Sequence, residues 1–334
     1  MYGDVEKKTL AILRVLSEAG RSLGARAISQ RLKGYGIHLT ERAVRYHLKL
    51  MDERGWTRLV GQRDGRVITE EGMKELEHAR VKDKVGFVLT KIEALSFMTD
   101  FSPKERKGLI PVNLSIVSRQ DLPEALEAMA LAFKAGICVS KRIKIIPGGE
   151  KVGNVVIPDE RVGVATVCSI VINGVLLKAG VPMDSRFGGI LEIRGGKPQR
   201  FVELIHYAGS SLDPSEAFIR AGMTSVREVA RKGSGKVLAN FREVPAVCKG
   251  VVEETLSQLK QAGIGGVVSL GGIGEDVCEV PVEIGKMGMV LLGGLNPLAC
   301  VQEMGINAEN MAMSSVLPYE EMEPFEEVYG KICG

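Results

Sequence analysis

The sequence predicts an α+β protein, in which an N-terminal winged helix-turn-helix domain precedes two repeated ferredoxin-like α/β units. Three observations predict this class. Three amphipathic helices and a two-stranded hairpin fit the N-terminal residues, strands and helices alternate from about Leu109 onward, and the later part of the chain matches itself without a gap. We therefore expect a winged-helix domain at 1–80, a linker helix at 81–108, and two α/β repeats at 109–230 and 231–330.

Length and composition place the chain among globular proteins. Its 334 residues are 45% hydrophobic and 25% charged, which excludes a disordered, collagen-like or disulfide-scaffold class. No window approaches the roughly 18 apolar residues of a membrane helix, and the N-terminus lacks a signal-peptide pattern, so we expect a cytoplasmic protein with no membrane partner. The six cysteines form no C-x-x-C motif, and we expect neither a metal site nor a redox site.

Charge is divided unevenly along the chain, although the net charge is only +3. Residues 21–66 contain eleven Lys or Arg against four Asp or Glu, whereas residues 67–334 contain 30 against 34. A basic segment joined to a slightly acidic body indicates an anionic partner for one end of the molecule, either nucleic acid or a membrane surface.

The N-terminal residues carry the start and stop signals of a winged helix. The first amphipathic helix ends at Gly20, and a second short helix ends before Gly34. Thr40 and Thr69 are placed to cap a third and a fourth helix. Asp64-Gly65 then lies between two runs of β-forming residues, which is a strong hairpin signal. The predicted elements are helices over 5–19, 25–32, 41–54 and 70–80 and strands over 56–60 and 66–69.

The third predicted helix has two distinct faces. One face is an apolar stripe that contains Val44, Leu48 and Met51, and the other is basic and carries one aromatic side chain. A basic helix of this kind contacts base edges and phosphates in the major groove, and the tip of the wing reaches the neighbouring backbone. A solvated helix in a module used for protein contacts is the alternative. The residues predicted to contact DNA are Thr40, Arg42, Arg45, Tyr46, Lys49, Arg63 and Arg66.

Three stretches of this module resemble the winged helix of the ribonuclease R type. They are Leu23–Leu32, Thr40–Leu48 and Val60–Arg66. No nuclease body follows them. In archaea this module is similar to the DNA-binding head of transcription regulators, which is what the resemblance implies here.

Residues 81–108 are polar around one apolar helix from Phe87 to Met98, which predicts a connector. An interdomain helix often carries dimer contacts, for which Leu89, Ile92 and Phe97 are candidates. Packing of this helix on its own domain is the alternative.

The later part of the chain predicts a duplicated body. From Leu109 the order of predicted elements is β-α-β-β-α-β, which matches a split ferredoxin-like unit. At an offset of 83 residues, 176–222 matches 259–305. In both copies an Asx residue precedes a proline, so Asp213 and Asn296 are expected N-caps. The matching pairs include Gly188-Gly189 with Gly271-Gly272 and Pro214 with Pro297.

The two Gly-Gly segments are predicted loops whose free backbone N–H groups could bind an anion, with Arg186 supplying charge for a carboxylate. Plain turns are the alternative. The candidate effector-binding residues are Arg186, Gly188, Gly189, Gly271 and Gly272. Because the chain displays no phosphate-binding P-loop, no dinucleotide-binding site and no catalytic triad, we expect no enzymatic activity and no cofactor.

The body as a whole resembles the effector domain of the NrpR family, the nitrogen-responsive repressors of methanogenic archaea and their relatives. The resemblance rests on Ser185-Arg186-Phe187-Gly188-Gly189, on Leu212-Asp213-Pro214, and on the order of one winged helix followed by a duplicated domain. It implies a repressor of nitrogen-fixation and nitrogen-assimilation genes that binds palindromic operator DNA as a homodimer or higher oligomer, with or without a second subunit of the family. It also implies that the two α/β repeats form an effector domain and that 2-oxoglutarate is the effector that releases the operator.

Two other functions remain open from the residues alone. A regulator with the same head could sense another metabolite, such as an amino acid. A metabolic α/β enzyme with a DNA-binding head could use the Gly-Gly segments for a phosphate or carboxylate substrate, although the sequence displays no nucleophile or acid–base pair for it.

Overall fold

The computed structural model describes residues 2–61, 64–78 and 86–334, which fall into two compact units. The first unit extends to Ala94 and includes the short segments Asn154–Val156 and Gly209–Ser211. The second unit contains the remaining described residues. The division therefore lies within the helix of the predicted connector at 81–108, which follows the winged-helix domain predicted at 1–80.

The first unit contains a winged helix-turn-helix, as predicted. Its elements are α1 (Tyr2–Ala19), α2 (Ala25–Leu32), α3 (Glu41–Glu53), β1 (Thr57–Gly61), β2 (Gly65–Ile68) and α4 (Glu70–His78), followed by α5 (Phe87–Met98), which contains the boundary. The first three helices pack around one apolar core, in which Leu13, Ile28 and Leu48 have no exposed surface. The helical periodicity of the apolar residues thus produces the predicted three-helix core.

Side-chain caps begin two of these helices. Thr40 Oγ1 accepts a hydrogen bond from Ala43 N at 3.2 Å, and Thr69 Oγ1 accepts one from Gly72 N at 3.0 Å. Each threonine satisfies an N–H group that the first helical turn leaves without an intrahelical partner. Both caps are the ones that the sequence predicts.

The wing depends on a glycine that makes a close backbone approach. Leu23 and Arg66 exchange two backbone hydrogen bonds, of 2.9 and 3.0 Å. The neighbouring Gly65 has a φ of 82°, and a Cβ at this position would lie 2.2 Å from the carbonyl group of Leu23. Gly65 is therefore required for its positive φ and for the space that the Leu23 backbone occupies.

Two five-stranded antiparallel sheets form the centre of the second unit. Sheet A consists of β3 (Leu109–Ser118), β4 (Arg142–Ile146), β7 (Arg161–Val167), β13 (Glu309–Pro318) and β14 (Glu323–Pro324), in the order β13-β3-β7-β4-β14. Sheet B consists of β8 (Asp184–Arg194), β9 (Lys197–His206), β10 (Gly235–Pro245), β11 (Val267–Ile273) and β12 (Lys286–Leu292), in the order β11-β12-β10-β8-β9. Two short strands, β5 (Lys151–Val152) and β6 (Val155–Val156), precede β7 in the chain.

The described helices of the second unit follow the same alternation with strands. They are α6 (Leu122–Ala135), α7 (Ile170–Lys178), α8 (Pro214–Arg220), α9 (Val226–Lys232), α10 (Lys249–Gln261), α11 (Asn296–Glu303) and α12 (Phe325–Cys333). Helix α6 begins with a proline in its first turn and ends at Gly136 with a φ of 72°, which is the usual asymmetry of helix ends.

Each half of this unit gives its last strand to the sheet of the other half. The chain order β3-α6-β4-β7-α7-β8 is repeated as β10-α10-β11-β12-α11-β13, so the pattern β-α-β-β-α-β occurs twice. In sheet A the strands β4, β7 and β3 of the first half are completed by β13, and in sheet B the strands β11, β12 and β10 of the second half are completed by β8. The predicted ferredoxin-like unit is present twice, with one strand exchanged.

The structural repeat does not have the predicted offset of 83 residues. Strand β7 begins at Arg161 and its equivalent β12 at Lys286, while β8 begins at Asp184 and its equivalent β13 at Glu309, so the offset is 125 residues in both cases. The residues that match at 83 are mainly glycines, leucines and prolines, which recur at turns and helix ends of any such chain. The predicted boundary at 230/231 falls within α9, between the last strand of the first repeat, β8, and the first strand of the second, β10.

Candidate functional site

Helix α3 presents the basic face that the sequence predicts. Its apolar stripe, which contains Val44, Leu48 and Met51, has no exposed surface. Side chains that can donate hydrogen bonds to bases and phosphates lie on the exposed face. These side chains are Arg42, Arg45, Tyr46 and Lys49.

Two of the arginines predicted to contact DNA already have partners within the first unit. Arg45 forms an ion pair with Glu41 one turn earlier, and because both side chains are exposed this pair is weak and can exchange for a phosphate. Arg66 Nε donates to Asp52 Oδ2 at 2.6 Å, with its side chain only 22% exposed. Arg66 therefore fixes the wing to α3, while Arg63 lies outside the described residues.

The Gly188-Gly189 segment is a strand and not the predicted loop. Both glycines lie within β8, which is paired on one side with β9 and on the other with β10. A Cβ at Gly188 would lie 2.8 Å from Pro214 Cβ, and a Cβ at Gly189 would lie 2.5 Å from the Glu203 carbonyl oxygen. These glycines permit close packing, and as residues of an interior strand they do not form an anion-binding loop.

Gly271 and Gly272 also lie in a strand, at the edge of sheet B. The register of β11 against β12 shifts between Leu270 and Ile273, and Gly272 N donates to Glu275 Oε2 at 3.2 Å. The carboxylate bound by this segment is thus one of the chain's own. Because β12 and β10 lie between this segment and β8, the two Gly-Gly segments are not brought together.

Arg186 lies in a group of charges at one end of sheet B, which we call the paired cluster: Asp184, Arg186, Glu243, Glu283 and Lys286. Glu243 is 1% exposed and accepts hydrogen bonds from Arg186 Nη1 at 2.8 Å and from Lys286 Nζ at 3.0 Å. Lys286 Nζ also lies 2.9 Å from Glu283 Oε2 and 3.6 Å from Asp184 Oδ2. The hydrogen bonds that Lys286 donates to Glu283 and Glu243 raise the pKa of Lys286. Arg186, predicted to bind an effector carboxylate, is therefore already paired with a carboxylate of the protein.

The two Asx-Pro segments have different roles. Asp213 Oδ1 accepts hydrogen bonds from Ser215 N at 2.8 Å and from Glu216 N at 3.3 Å, so the predicted cap of α8 is confirmed. Asn296 is fully buried, and its side chain bonds to Leu238 N and Leu238 O of β10, each at 2.9 Å. The predicted cap at Asn296 is wrong, because its amide fixes the start of α11 to sheet B instead.

A group of buried polar side chains in and beside sheet B is not predicted from the sequence. Asn240 donates to Ser169 Oγ at 3.2 Å and accepts a hydrogen bond from the Tyr207 hydroxyl. The guanidinium of Arg242, a residue that is 1% exposed, lies 4.9 Å from the centre of the Tyr207 ring. Burial raises the pKa of Tyr207 to about 12. Polar residues in a strand are usually assigned to the solvent face, so only the spacing of their apolar neighbours could have revealed this group.

A cleft of about 390 Å³ in the second unit is likewise not predicted from the sequence. Its walls come from the start of β7, from α8, from the end of α11 and from the start of β13. Arg161 and Arg220 are the cationic side chains that line it. The cleft is assembled by the exchanged strand β13, and no local motif marks it.

Metal and membrane features are not found in the described parts of the chain. Within residues 2–61, 64–78 and 86–334, no group of three or more His, Cys, Asp or Glu side chains is arranged to hold a metal ion. No helix of these same stretches has the length and apolar character needed to cross a membrane. Burial raises the pKa of Cys138 to about 11 and that of Cys300 to about 12, which keeps both thiols protonated near neutral pH.

Family models match both parts of the chain. Residues 85–324 match the NrpR regulatory domains NRD1 and 2, and residues 10–76 match the ribonuclease R winged-helix domain. These two matches correspond to the duplicated body and to the winged helix of the structure.

Three curated proteins are similar to the chain along nearly its whole length. The chain is 39% identical over 323 residues to the global nitrogen regulator NrpRI of Methanosarcina mazei, which covers 97% of this chain and 99% of that protein. It is 34% identical over 312 residues to the global nitrogen regulator NrpR of Methanococcus maripaludis, covering 93% of this chain and 54% of that protein. It is 31% identical over 324 residues to the global nitrogen regulator NrpR of Methanocaldococcus jannaschii, covering 96% of this chain and 56% of that protein. The chain thus spans about half the length of the last two relatives.

A solved structure has a similar fold. The crystal structure of a nitrogen repressor-like protein from Methanococcus jannaschii superposes with a TM-score of 0.61 at 29% sequence identity, covering 71% of this chain and 98% of that chain. A family model across most of the chain and a full-length relative at 39% identity agree with the winged helix and the duplicated α+β body. The chain therefore belongs to the NrpR family, whose members are regulatory proteins and not enzymes.

Proposed function

We propose that this protein represses nitrogen-fixation and nitrogen-assimilation genes by binding palindromic operator DNA, and that 2-oxoglutarate releases it. The observation that carries the proposal is the exposed basic face of α3, with Arg42, Arg45 and Lys49, on a winged helix in a chain of the NrpR family. The relatives named global nitrogen regulator support nitrogen control as the outcome of DNA binding.

In this proposal α3 enters the major groove. Its exposed arginines and lysine contact base edges and phosphates, and Thr40 at the start of the helix lies near the backbone. A homodimer or higher oligomer presents two heads to half-sites about 34–36 Å apart, or a multiple of this distance. A second subunit of the family is compatible with the same geometry.

Release of the operator follows from thermodynamic linkage between effector binding and DNA binding. An effector that binds better to the arrangement with low affinity for DNA shifts the population toward that arrangement. Coupling of this kind is typically about 1–3 kcal/mol, and it is reciprocal, so operator DNA weakens effector binding by the same factor. A small change in the orientation of the heads is sufficient, because half-site spacing is fixed by the DNA.

The DNA-binding part is tested by selecting binding sequences from a random duplex pool with the full chain and then measuring affinities by fluorescence anisotropy. We expect an enriched inverted repeat, and we expect Arg42→Ala and Arg45→Ala to weaken its binding by about 1–3 kcal/mol each. Lys74→Ala on α4 is the matched control, because Lys74 is an exposed cation outside α3. Unchanged affinity in both arginine variants would remove α3 from this role.

The effector part is tested on the preformed complex of the protein with the selected DNA. We expect millimolar 2-oxoglutarate to release the DNA and glutamate or glutamine to leave it bound. Release by an amino acid and not by 2-oxoglutarate would replace the proposed effector by the alternative one. Release by neither would leave the protein a repressor without the proposed response.

A further inference from the structure

Sheets A and B have equivalent strands, and their register shows which residues occupy equivalent positions. Strand β10 of sheet B and strand β3 of sheet A each pair with a neighbour on both sides. Glu243 of β10 lies opposite Asp184 and Gly288, and Ile116 of β3 lies opposite Glu309 and Gly163. Ile116 therefore occupies in sheet A the position that the buried acid Glu243 occupies in sheet B. Ile116 is 3% exposed, so this position is apolar and closed to water.

The cations near these two equivalent positions, Lys286 in sheet B and Arg161 in sheet A, differ in their surroundings. Lys286 begins β12 and has three carboxylates of the paired cluster within 4 Å. Its equivalent Arg161 begins β7 opposite Ser118, two residues before Gly163, which lies opposite Ile116. Within residues 2–61, 64–78 and 86–334, the Arg161 guanidinium has neither a hydrogen bond nor an ion pair. Replacement of the internal acid by isoleucine explains why this arginine is left without a carboxylate.

Arg161 lines the cleft of about 390 Å³ together with Arg220 of α8. In the described part of the chain the Arg220 guanidinium also lacks a hydrogen-bonding or ionic partner. The side-chain amides of Gln302 and Asn307 add neutral donors to the walls. Ligand clefts are usually about 300–1,000 Å³ and contain a few polar groups that fix the ligand, and this cleft has those properties.

The acidic residues of the cleft restrict the class of anion that the cleft can bind. Glu216 Oε1 accepts a hydrogen bond from Ala312 N at 2.7 Å, and Glu309 is exposed at the start of β13. These carboxylates repel a group with several adjacent negative charges, such as a polyphosphate. Two separate arginines accommodate two separate single charges, since each guanidinium can hold one carboxylate through paired hydrogen bonds.

We infer that this cleft, which we call the Arg161–Arg220 cleft, binds a small dicarboxylate, with one carboxylate on each arginine. Its walls combine β7 of the first half and α8 of the segment between the halves with α11 and β13 of the second half, so the ligand connects both halves of the unit. The identification of this dicarboxylate with the effector rests on the proposed function. 2-Oxoglutarate and glutamate share the chemistry and differ in the keto or amino group between the carboxylates.

The test is calorimetric titration of the full chain with 2-oxoglutarate, with glutamate and with the monocarboxylate propionate. We expect one dicarboxylate to bind and propionate not to bind. Arg161→Gln and Arg220→Gln should each weaken binding about ten- to hundredfold, the loss typical of one charge-assisted hydrogen-bonded pair. Arg119→Gln is the matched control, because Arg119 is an exposed arginine just after β3 that does not line the cleft.

A further variant tests directly whether the isoleucine at position 116 is what leaves Arg161 available to a ligand. Ile116→Glu restores to sheet A the acid that sheet B has, so it should pair with Arg161 and weaken dicarboxylate binding while every donor in the cleft remains. Circular dichroism and thermal unfolding establish whether this variant is folded, and the two arginine variants decide the question if it is not.

The possible outcomes distinguish failure of the proposed binding site from failure of the proposed effector. Unchanged 2-oxoglutarate binding in folded Arg161→Gln and Arg220→Gln would overturn the cleft and leave the proposed function standing. Binding of glutamate but not 2-oxoglutarate, lost in both variants, would support the cleft and overturn the proposed effector. Absence of any dicarboxylate binding to the unaltered chain would overturn both.

Discussion

Sheet A and sheet B share the order of four equivalent strands and the pairing at one end of these strands, yet the cations at that end have opposite surroundings in the two sheets. In sheet B the buried Glu243 holds Arg186 and Lys286, so these cations contribute to cohesion. In sheet A Ile116 takes the place of the acid, and Arg161 faces an open cleft. A duplicated backbone thus provides two equivalent places, and side-chain replacement makes one of them structural and the other available to a ligand.

The largest expected effect comes from removing both cations of the paired cluster. In Arg186→Met/Lys286→Met, Glu243 stays buried without a cation, and we expect the free energy of unfolding to fall by about 3 kcal/mol. Methionine is the matched residue, because Met311 stands 125 residues after Arg186, at the equivalent position of sheet A. Urea unfolding gives the measurement. Adding Glu243→Ile should recover most of the loss, and a triple variant no more stable than the double one would contradict the comparison.

An intermediate effect is expected where α11 joins sheet B. Asn296 stands 125 residues after Val171, so Asn296→Val makes this position like its counterpart in the first half. The change leaves Leu238 N and Leu238 O without their side-chain partner, and we expect a cost of about 2 kcal/mol. A change below about 0.5 kcal/mol in urea unfolding, which is the range of ordinary surface substitutions, would show that the two hydrogen bonds are replaceable.

The smallest effect concerns pH. The hydrogen bond from Lys286, followed by the charges of Lys286 and Arg186, lowers the pKa of Glu283 below its ordinary value of 4.5. A carboxyl group with a lower pKa in the folded state contributes stability above its unfolded pKa and loses it as the pH falls through the folded pKa. We therefore expect the free energy of unfolding to fall less steeply below pH 4.5 in Glu283→Gln than in the unaltered chain.

This difference should decrease with added salt, because Glu283 is exposed. Glu309→Gln in sheet A is the matched control, since Glu309 is likewise exposed and lies next to the cation that has no internal partner. Equal acid profiles for Glu283→Gln and the unaltered chain would show that the paired cluster does not depend on its outermost carboxylate.

The winged helix could be predicted from the sequence because its signals are local. Thr40 and Thr69 cap helices that begin one residue later, and Asp64-Gly65 forms the turn of a hairpin with few intervening residues. The basic face of α3 follows from helical periodicity alone. For these features, the residues that determine the structure are close together in the chain.

The second unit could be predicted only in outline. The alternation of strands and helices is visible in the sequence. The exchange of β8 and β13 is not, because it depends on pairing between residues that are far apart in the chain. The equivalence of Ile116 with Glu243 depends on strand register, so the Arg161–Arg220 cleft is invisible without the sheets. The same reason explains the error at Gly188, where a Gly-Gly pair permits close packing in an interior strand.

The exchange of strands also has a consequence for synthesis of the protein. Ile116 and Glu309 face each other in sheet A, although 193 residues separate them in the chain. At a translation rate of about 5–20 residues per second, the edge of β3 waits roughly 10–40 s before β13 emerges to cover it. An uncovered strand edge is a template for intermolecular pairing, which solubility measurements on nascent chains arrested before and after residue 318 would detect. The risk of aggregation in this architecture is therefore greatest in the ribosome-bound chain. A chaperone that shields the edge of β3 would remove that risk.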